Sequence, residues 1–257
     1  MSRSRTKAFR VVDESPDWIV LDKPAGMQVH PSKPADQFTL WHGARELLAY
    51  EIANGGQVSI INRLDRETSG LTLVCKNPEC ARHFSELMAR RLVQKEYLAL
   101  VWGWPEADEF QVDAPIARQG EFMPSRIYLK RCVHEKGAEA VTGVKVEERF
   151  GSEETGRFSL IRAKPLTGRT HQIRVHLAHS GFPLVGDKIY GPDEGWYLRF
   201  IETGWTEELQ KALLLPRHAL HSCLLIAGEH RWESPLPEDL QEFRMGILGS
   251  LGGLGTI

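Results

Sequence analysis

Three short segments carry the residues that could do chemistry. In Asn62-Arg-Leu-Asp-Arg-Glu-Thr-Ser-Gly70, Asp65 is flanked by Arg63 and Arg66. Neighbouring positive charge lowers a carboxylate's pKa and keeps it ionised. Thr68 and Ser69 can donate to that carboxylate or shape the turn, and Gly70 permits a positive φ. The result is a fixed anionic carboxylate at the mouth of a sheet. In Lys95-Glu-Tyr-Leu-Ala-Leu-Val-Trp-Gly103, alternation puts Lys95, Tyr97 and Ala99 on one strand face. A tyrosine there can stack on a base or assist proton transfer. In Thr167-Gly-Arg-Thr-His-Gln-Ile-Arg-Val-His176, a strand leaves through a glycine turn into a helix. Backbone N–H groups at that helix start suit an anion. Arg169 and Arg174 can bind phosphate or carboxylate bidentately.

Taken singly, each segment has a plainer reading. The first is an Asx-turn with a surface salt bridge, the second a core tyrosine bonded locally, the third a capped helix with solvated arginines. Metal chemistry is not expected. His171, His176 and His179 are closely spaced and His218 and His221 lie three apart, but there is no H-E-x-x-H and no carboxylate among them. The zinc deaminase pattern, G-x-S-x-G and the Walker A loop are also missing.

The elements that must hold these segments follow from periodicity. Strands are expected at 17–23, 58–61, 71–76, 95–102 and 221–227, and an antiparallel pair at 140–150 and 158–164. Helices are expected at 38–51, 78–91, 170–180 and 238–246. Residues 104–137 are turn-rich and poorly periodic. Residues 192–215 resemble a linker, partly helical. Strands outnumber helices without regular alternation. That predicts an α+β fold with a mixed, mostly antiparallel sheet, flanking helices and loops around a central cleft.

Composition is ordinary for a globular protein: 257 residues, 42% hydrophobic and 26% charged. Four scattered cysteines form no C-x-x-C pair and are expected to be reduced. No apolar run approaches the ~20 residues needed to span a bilayer. The basic start has no apolar stretch after it, so a cytoplasmic protein without membrane association is expected. Net charge is −2, yet charge is segregated. Residues 1–10 carry Arg3, Arg5, Lys7 and Arg10 without an acid, and residues 155–186 carry five Lys or Arg without an acid. Such a chain can present a positive cleft while staying near neutral overall.

Together and in this order, the motifs resemble the RluA family of pseudouridine synthases. Asn62 to Leu71 follows H-R-L-D-x-x-T-S-G-hydrophobic, and Lys95 to Val101 follows K-x-Y-x-A-L-V. Gly168 to Gly191 follows G-R-T-H-Q-I-R-V-H-L and then G-x-P-hydrophobic-x-G-D-x-x-Y-G almost letter for letter. Asp22 to Pro31 matches an N-terminal K-P-x-G, and His218 to Leu224 and Pro235 to Leu240 match the C-terminal end. The match runs over about residues 10–241. One departure stands out: Asn62 occupies a position where the family usually has histidine. Asparagine can hydrogen-bond either the loop or a backbone phosphate there.

The resemblance implies a pseudouridine synthase fold at 11–247, a flexible basic arm at 1–10 and a C-terminal tail at 248–257, with no S4 domain. It implies isomerisation of uridine in rRNA or tRNA, with no cofactor. Asp65 would attack the flipped uridine or abstract a sugar proton. Tyr97 would stack on uracil and assist the late proton removal, and Arg174 would pair with Asp65. Arg63, Asn62, Thr68, Arg169, His171 and Gln172 would contact RNA or uridine, with Arg169 at phosphate or in support. Structured RNA would be the partner of a monomer. A catalytically lapsed RNA-binding module of the same fold is the alternative. A carboxylate glycosidase would need a second acid opposite Asp65.

Overall fold

The computed structural model describes residues 9–31 and 38–252. In chain order the elements are β1 (Arg10–Glu14), β2 (Trp18–Lys23), α1 (Leu40–Leu47), α2 (Ala49–Ala53), β3 (Ser59–Ile60), β4 (Ser69–Cys75), α3 (Pro78–Ala89) and β5 (Val93–Trp102). Then follow β6 (Glu109–Asp113), β7 (Ile116–Arg118), β8 (Arg131–Val133), β9 (Val141–Ser152), β10 (Gly156–Pro165) and α4 (Gln172–His179). The chain ends with α5 (Gly195–Thr203), α6 (Glu207–Leu213), β11 (Leu220–Ala227), β12 (His230–Glu233) and α7 (Glu238–Gly252). The described residues divide into two compact units, one lying within 9–95 and 222–235 and another within 96–221 and 236–252.

In the first unit β1, β2, β4 and β11 lie side by side, β12 adds to β11, and β3 pairs with β4. The β2–β4 register sets Trp18 against Cys75 and Lys23 against Gly70. Alternation along β2 sorts two cores. Trp18 and Val20 join Leu73, Cys75, Phe84 and Trp232 on one face, whereas Ile19 and Leu21 meet Leu40, Ala44 and Val74 on the other. All of β4 is buried, as a strand covered on both faces must be. Asn77 caps α3 by accepting from the Cys80 N–H at 2.8 Å, with Pro78 in the first turn, where no N–H is needed.

In the second unit β5, β10, β9 and β6 form an antiparallel run. β9 and β10 make a long hairpin, and β10 leads into the turn before α4. Leu100, Phe150, Phe158, Val185 and Leu240 build one core, and Ile116, Ile127, Val175, Ile189 and Tyr190 another. α7 is tied down by Asp239, which accepts from Arg217 Nε and Nη2 at 2.6 and 2.9 Å.

The α+β class and mostly antiparallel sheet are as expected, but several elements are corrected. Residues 104–137 hold β6, β7 and β8 rather than open turns. The 192–215 segment is helical in part as expected, but as two defined helices, α5 and α6, rather than as a linker. The expected 38–51 helix is two helices broken at Leu48, and α7 runs past 246 to Gly252. Arg10, expected in the arm, starts β1. Of the rest of the arm, residues 1–8 lie outside the described residues, as do the last five residues of the tail. None of the four cysteines is in a disulfide. No helix among the described residues is long and apolar enough to cross a membrane.

Gly70 is where the Asp65 loop re-enters β4. Its φ is +112°, and a Cβ there would sit 2.2 Å from the Ser222 carbonyl oxygen. Both the positive φ and the close approach of two backbones demand glycine. Gly70→Ala is therefore expected to destabilise the fold by about 2–4 kcal/mol, read as a lower urea midpoint at unchanged slope.

Candidate active site

The expected site residues fall into one group in each unit. In the first unit, Asn62, Arg63, Asp65 and Thr68 share the loop between β3 and β4. Asp65 is half-buried, Arg63 is exposed and Thr68 is buried. The Thr68 N–H donates to the Asp65 carbonyl at 3.2 Å, closing a tight turn. Asn62 anchors the entry to this loop. Its Nδ2 donates to the Leu71 carbonyl at 2.9 Å, and its Oδ1 accepts from the Leu73 N–H at 2.8 Å. With 4% exposure, this amide serves the loop and β4, not a phosphate. That is the first of the two uses expected of asparagine at this position.

A second anchor comes from Lys23, which is fully buried. Its ammonium donates to the carbonyls of Pro24 and Met27 at 2.9 Å each and to that of Arg66 at 3.2 Å. A buried cation is tolerated only when its donors are satisfied, and three carbonyl dipoles do this. The Gly26 N–H donates to Arg66 O at 2.9 Å, and Arg66 Nε donates to Gly26 O at 3.0 Å. The Pro24–Met27 turn is thereby locked to the residue after Asp65. Lys23 was visible in sequence as part of a K-P-x-G match, but nothing in the match assigned it this work. Beside the loop, burial and then the charge of Arg63 lower the pKa of His30.

The second unit holds Tyr97, Arg169, His171, Gln172 and Arg174. Tyr97 is buried on β5, paired with Ala163 near the end of β10. The turn after β10 is organised by Gln172, which is 4% exposed. Its Oε1 accepts from Thr167 Oγ1 at 2.7 Å and from the Arg169 N–H at 2.9 Å. Its Nε2 donates to Val141 O at 2.9 Å and Thr142 Oγ1 at 3.0 Å. The Arg169 N–H, just ahead of the helix start, is thus taken by Gln172, a residue that shapes the turn. His171 begins α4 in the left-handed region at φ 58°, a strained position for a non-glycine residue. Its Nδ1 lies 2.7 Å from the Tyr190 hydroxyl. Arg169 is exposed, with Nε donating to the Glu139 carbonyl at 2.9 Å.

Arg174 is 6% exposed and Asp187 is 1% exposed. Arg174 Nε donates to Asp187 Oδ2 at 2.7 Å, and Nη2 donates to Oδ1 at 2.9 Å. Oδ1 also accepts from the N–H groups of Ile189 and Tyr190 at 3.0 and 3.1 Å. Burial works to raise the Asp187 pKa, but the Arg174 charge and these hydrogen bonds outweigh it and hold the carboxyl well below the usual range. Asp187 was legible only as one letter of G-D-x-x-Y-G. His176 is a core histidine: Nδ1 lies 2.9 Å from Thr142 Oγ1 and Nε2 lies 2.9 Å from Ala114 O. Burial lowers its pKa. Among the described residues no group of three or more His, Cys, Asp or Glu is placed to hold a metal.

Because the Asp187 pKa is depressed on folding, its contribution to stability is complete above the ordinary carboxylate range of about 4. It is lost as pH falls below that range towards the folded value. Asp187→Asn removes the full negative charge that two Arg174 guanidinium bonds engage in the core. The expected cost is about 3–5 kcal/mol at pH 7. Urea midpoints measured from pH 7 down to 3 should fall less steeply in the variant than in the parent chain.

A family model described as RNA pseudouridylate synthase matches residues 17–179. Ribosomal large subunit pseudouridine synthase D of Pseudomonas aeruginosa is 36% identical over 239 residues, covering 90% of this chain and 69% of that protein. The protein of the same name from Nitrosomonas europaea is 36% identical over 253 residues, covering 93% of this chain and 65% of that one. The chain thus spans about two thirds of these relatives' length. A solved structure, human RNA pseudouridylate synthase domain containing 4, has TM-score 0.69 at 24% identity and covers 92% of both chains, a likeness of fold. The chain belongs to the RNA pseudouridylate synthase family, whose members are isomerases.

Proposed function

We propose that this chain converts uridine to pseudouridine in RNA of the large ribosomal subunit, with Asp65 as the indispensable group. The observation that carries this reading is the Asp65 loop, pinned at its entry by Asn62 and beyond Asp65 by Lys23. Such anchoring gives a carboxylate the fixed position that catalysis on an extruded nucleotide requires. The choice of large-subunit RNA is supported by the names of the relatives from Pseudomonas and Nitrosomonas. The tRNA reading has no such support.

The chemistry is an internal exchange. The target uridine leaves its stack, at a cost of a few kcal/mol. Asp65 attacks the base or takes a sugar proton, and the C–N glycosidic bond breaks. The uracil turns and rejoins the ribose through C5, whatever bond or proton Asp65 took is given back, the C5 proton departs and N1 takes up a proton in its place. No atom is gained or lost overall. Tyr97, as a stacking group, and Arg174, as a fixed cation, complete the proposal.

The test uses RNA labelled with tritium at C5 of uridine. Large-subunit rRNA lacking its natural modification should release label in proportion to pseudouridine formed, and tRNA should release none. Release from tRNA alone would overturn the substrate assignment. Release from neither, with binding intact, would leave an inactive RNA-binding module.

A further inference from the structure

The second unit carries a basic cleft that Arg169 lines together with three cations given no role so far. Arg118 of β7 and Arg131 of β8 stand directly opposite each other in a two-stranded ladder. Like charges in that register repel. Lys136 and Arg169 line the same open cleft, about 310 Å³ in volume, with Thr170 and a single acid, Glu121. None of these four cations enters an ion pair among the described residues. The Nε of Arg131 is buried without a hydrogen-bond partner among them. A chain of net charge −2 thus keeps four positive side chains together around one acid.

The floor of the cleft is backbone. Ile116 and Ala138 exchange both of their N–H···O bonds at 2.9 Å. Gly137 approaches so closely that a Cβ would sit 2.6 Å from the Ile116 carbonyl carbon. Arg118 also lies over the ring of Tyr128 at 3.6 Å, and Tyr128 is 72% exposed, so its other face is open to solvent.

We propose that this cleft binds a backbone phosphate of the substrate RNA and so fixes the register of the RNA on the enzyme. The proposal rests on the RNA-modifying reading above. A phosphodiester relieves the Arg118–Arg131 repulsion and offers two oxygens to guanidinium forks. The exposed aromatic face beside the cations suits an unstacked base, which favours RNA over an acidic peptide.

The test compares Arg131→Gln with Lys136→Gln, made together, against a control pair outside the cleft, Lys145→Gln with Arg199→Gln. Affinity for large-subunit rRNA is measured across salt concentrations, and kcat and KM are measured separately. Losing two phosphate contacts should flatten the log–log salt slope by about 1–2. It should also raise Kd and KM about tenfold or more, with kcat at saturating RNA unchanged. Arg131→Lys with Lys136→Arg should restore most of the slope. The proposal is overturned if slope and KM stay at wild-type values, or if the control pair loses as much. It is also overturned if the cleft variant loses affinity only for inorganic phosphate, which would mean a free-anion site. A wild-type chain that binds rRNA but isomerises nothing would defeat the enzymatic reading, while the salt slopes would still decide the cleft.

Discussion

The Arg174–Asp187 ion pair removes two full charges from water, and much of the second unit is arranged to make that tolerable. A buried pair of this kind survives only if its remaining donors and acceptors are met. Asp187 meets that demand with two guanidinium bonds and two backbone N–H groups from the turn that follows it. The Gly186–Gly191 turn and the buried face of α4 are therefore defined by one electrostatic contact. The positive charge of Arg174 is held on a helix whose neighbouring residues Ile173, Val175 and Leu177 are all core.

The first unit solves a different problem with the same means. Its carboxylate, Asp65, sits on a loop that would wander without anchors. Asn62 replaces missing ladder bonds on β4, and Lys23 gathers three carbonyls into one knot. Both anchors are buried polar groups whose value lies in being fully satisfied, since each would be costly if left half-bonded. The glycine at the end of the loop removes the last steric conflict by letting two backbones touch. Precision at a single side chain is thus supplied by residues that do no chemistry.

Long elements with clear periodicity were legible in sequence. β2, β5, α3 and the β9–β10 hairpin lie within a few residues of their expected places, because alternation, an Asn-Pro cap and glycine turns all agree. Several short strands were not: β7 and β8 have three residues each and β12 has four, too few for a period to register, whereas the two-residue β3 lies within the apolar run expected at 58–61. The Asp65 loop and the Arg169–Arg174 turn were recognisable as motifs. What Asn62, Gln172, Lys23 and Asp187 do was not recognisable, because a buried polar residue is defined by partners far away in the chain. Lys23 and Asp187 look like surface charges in sequence. Asn62 and Gln172 look like groups that could face RNA, yet their amides are used within the fold.

The claim on which the functional account depends is that one carboxylate carries the chemistry. It is tested most directly by single-turnover conversion of uridine in large-subunit rRNA by Asp65→Asn, with RNA affinity and thermal unfolding measured on the same preparation. The account predicts that the variant folds and binds RNA as the parent does and forms no pseudouridine. Pseudouridine formed by that variant at a rate within tenfold of the parent would contradict it.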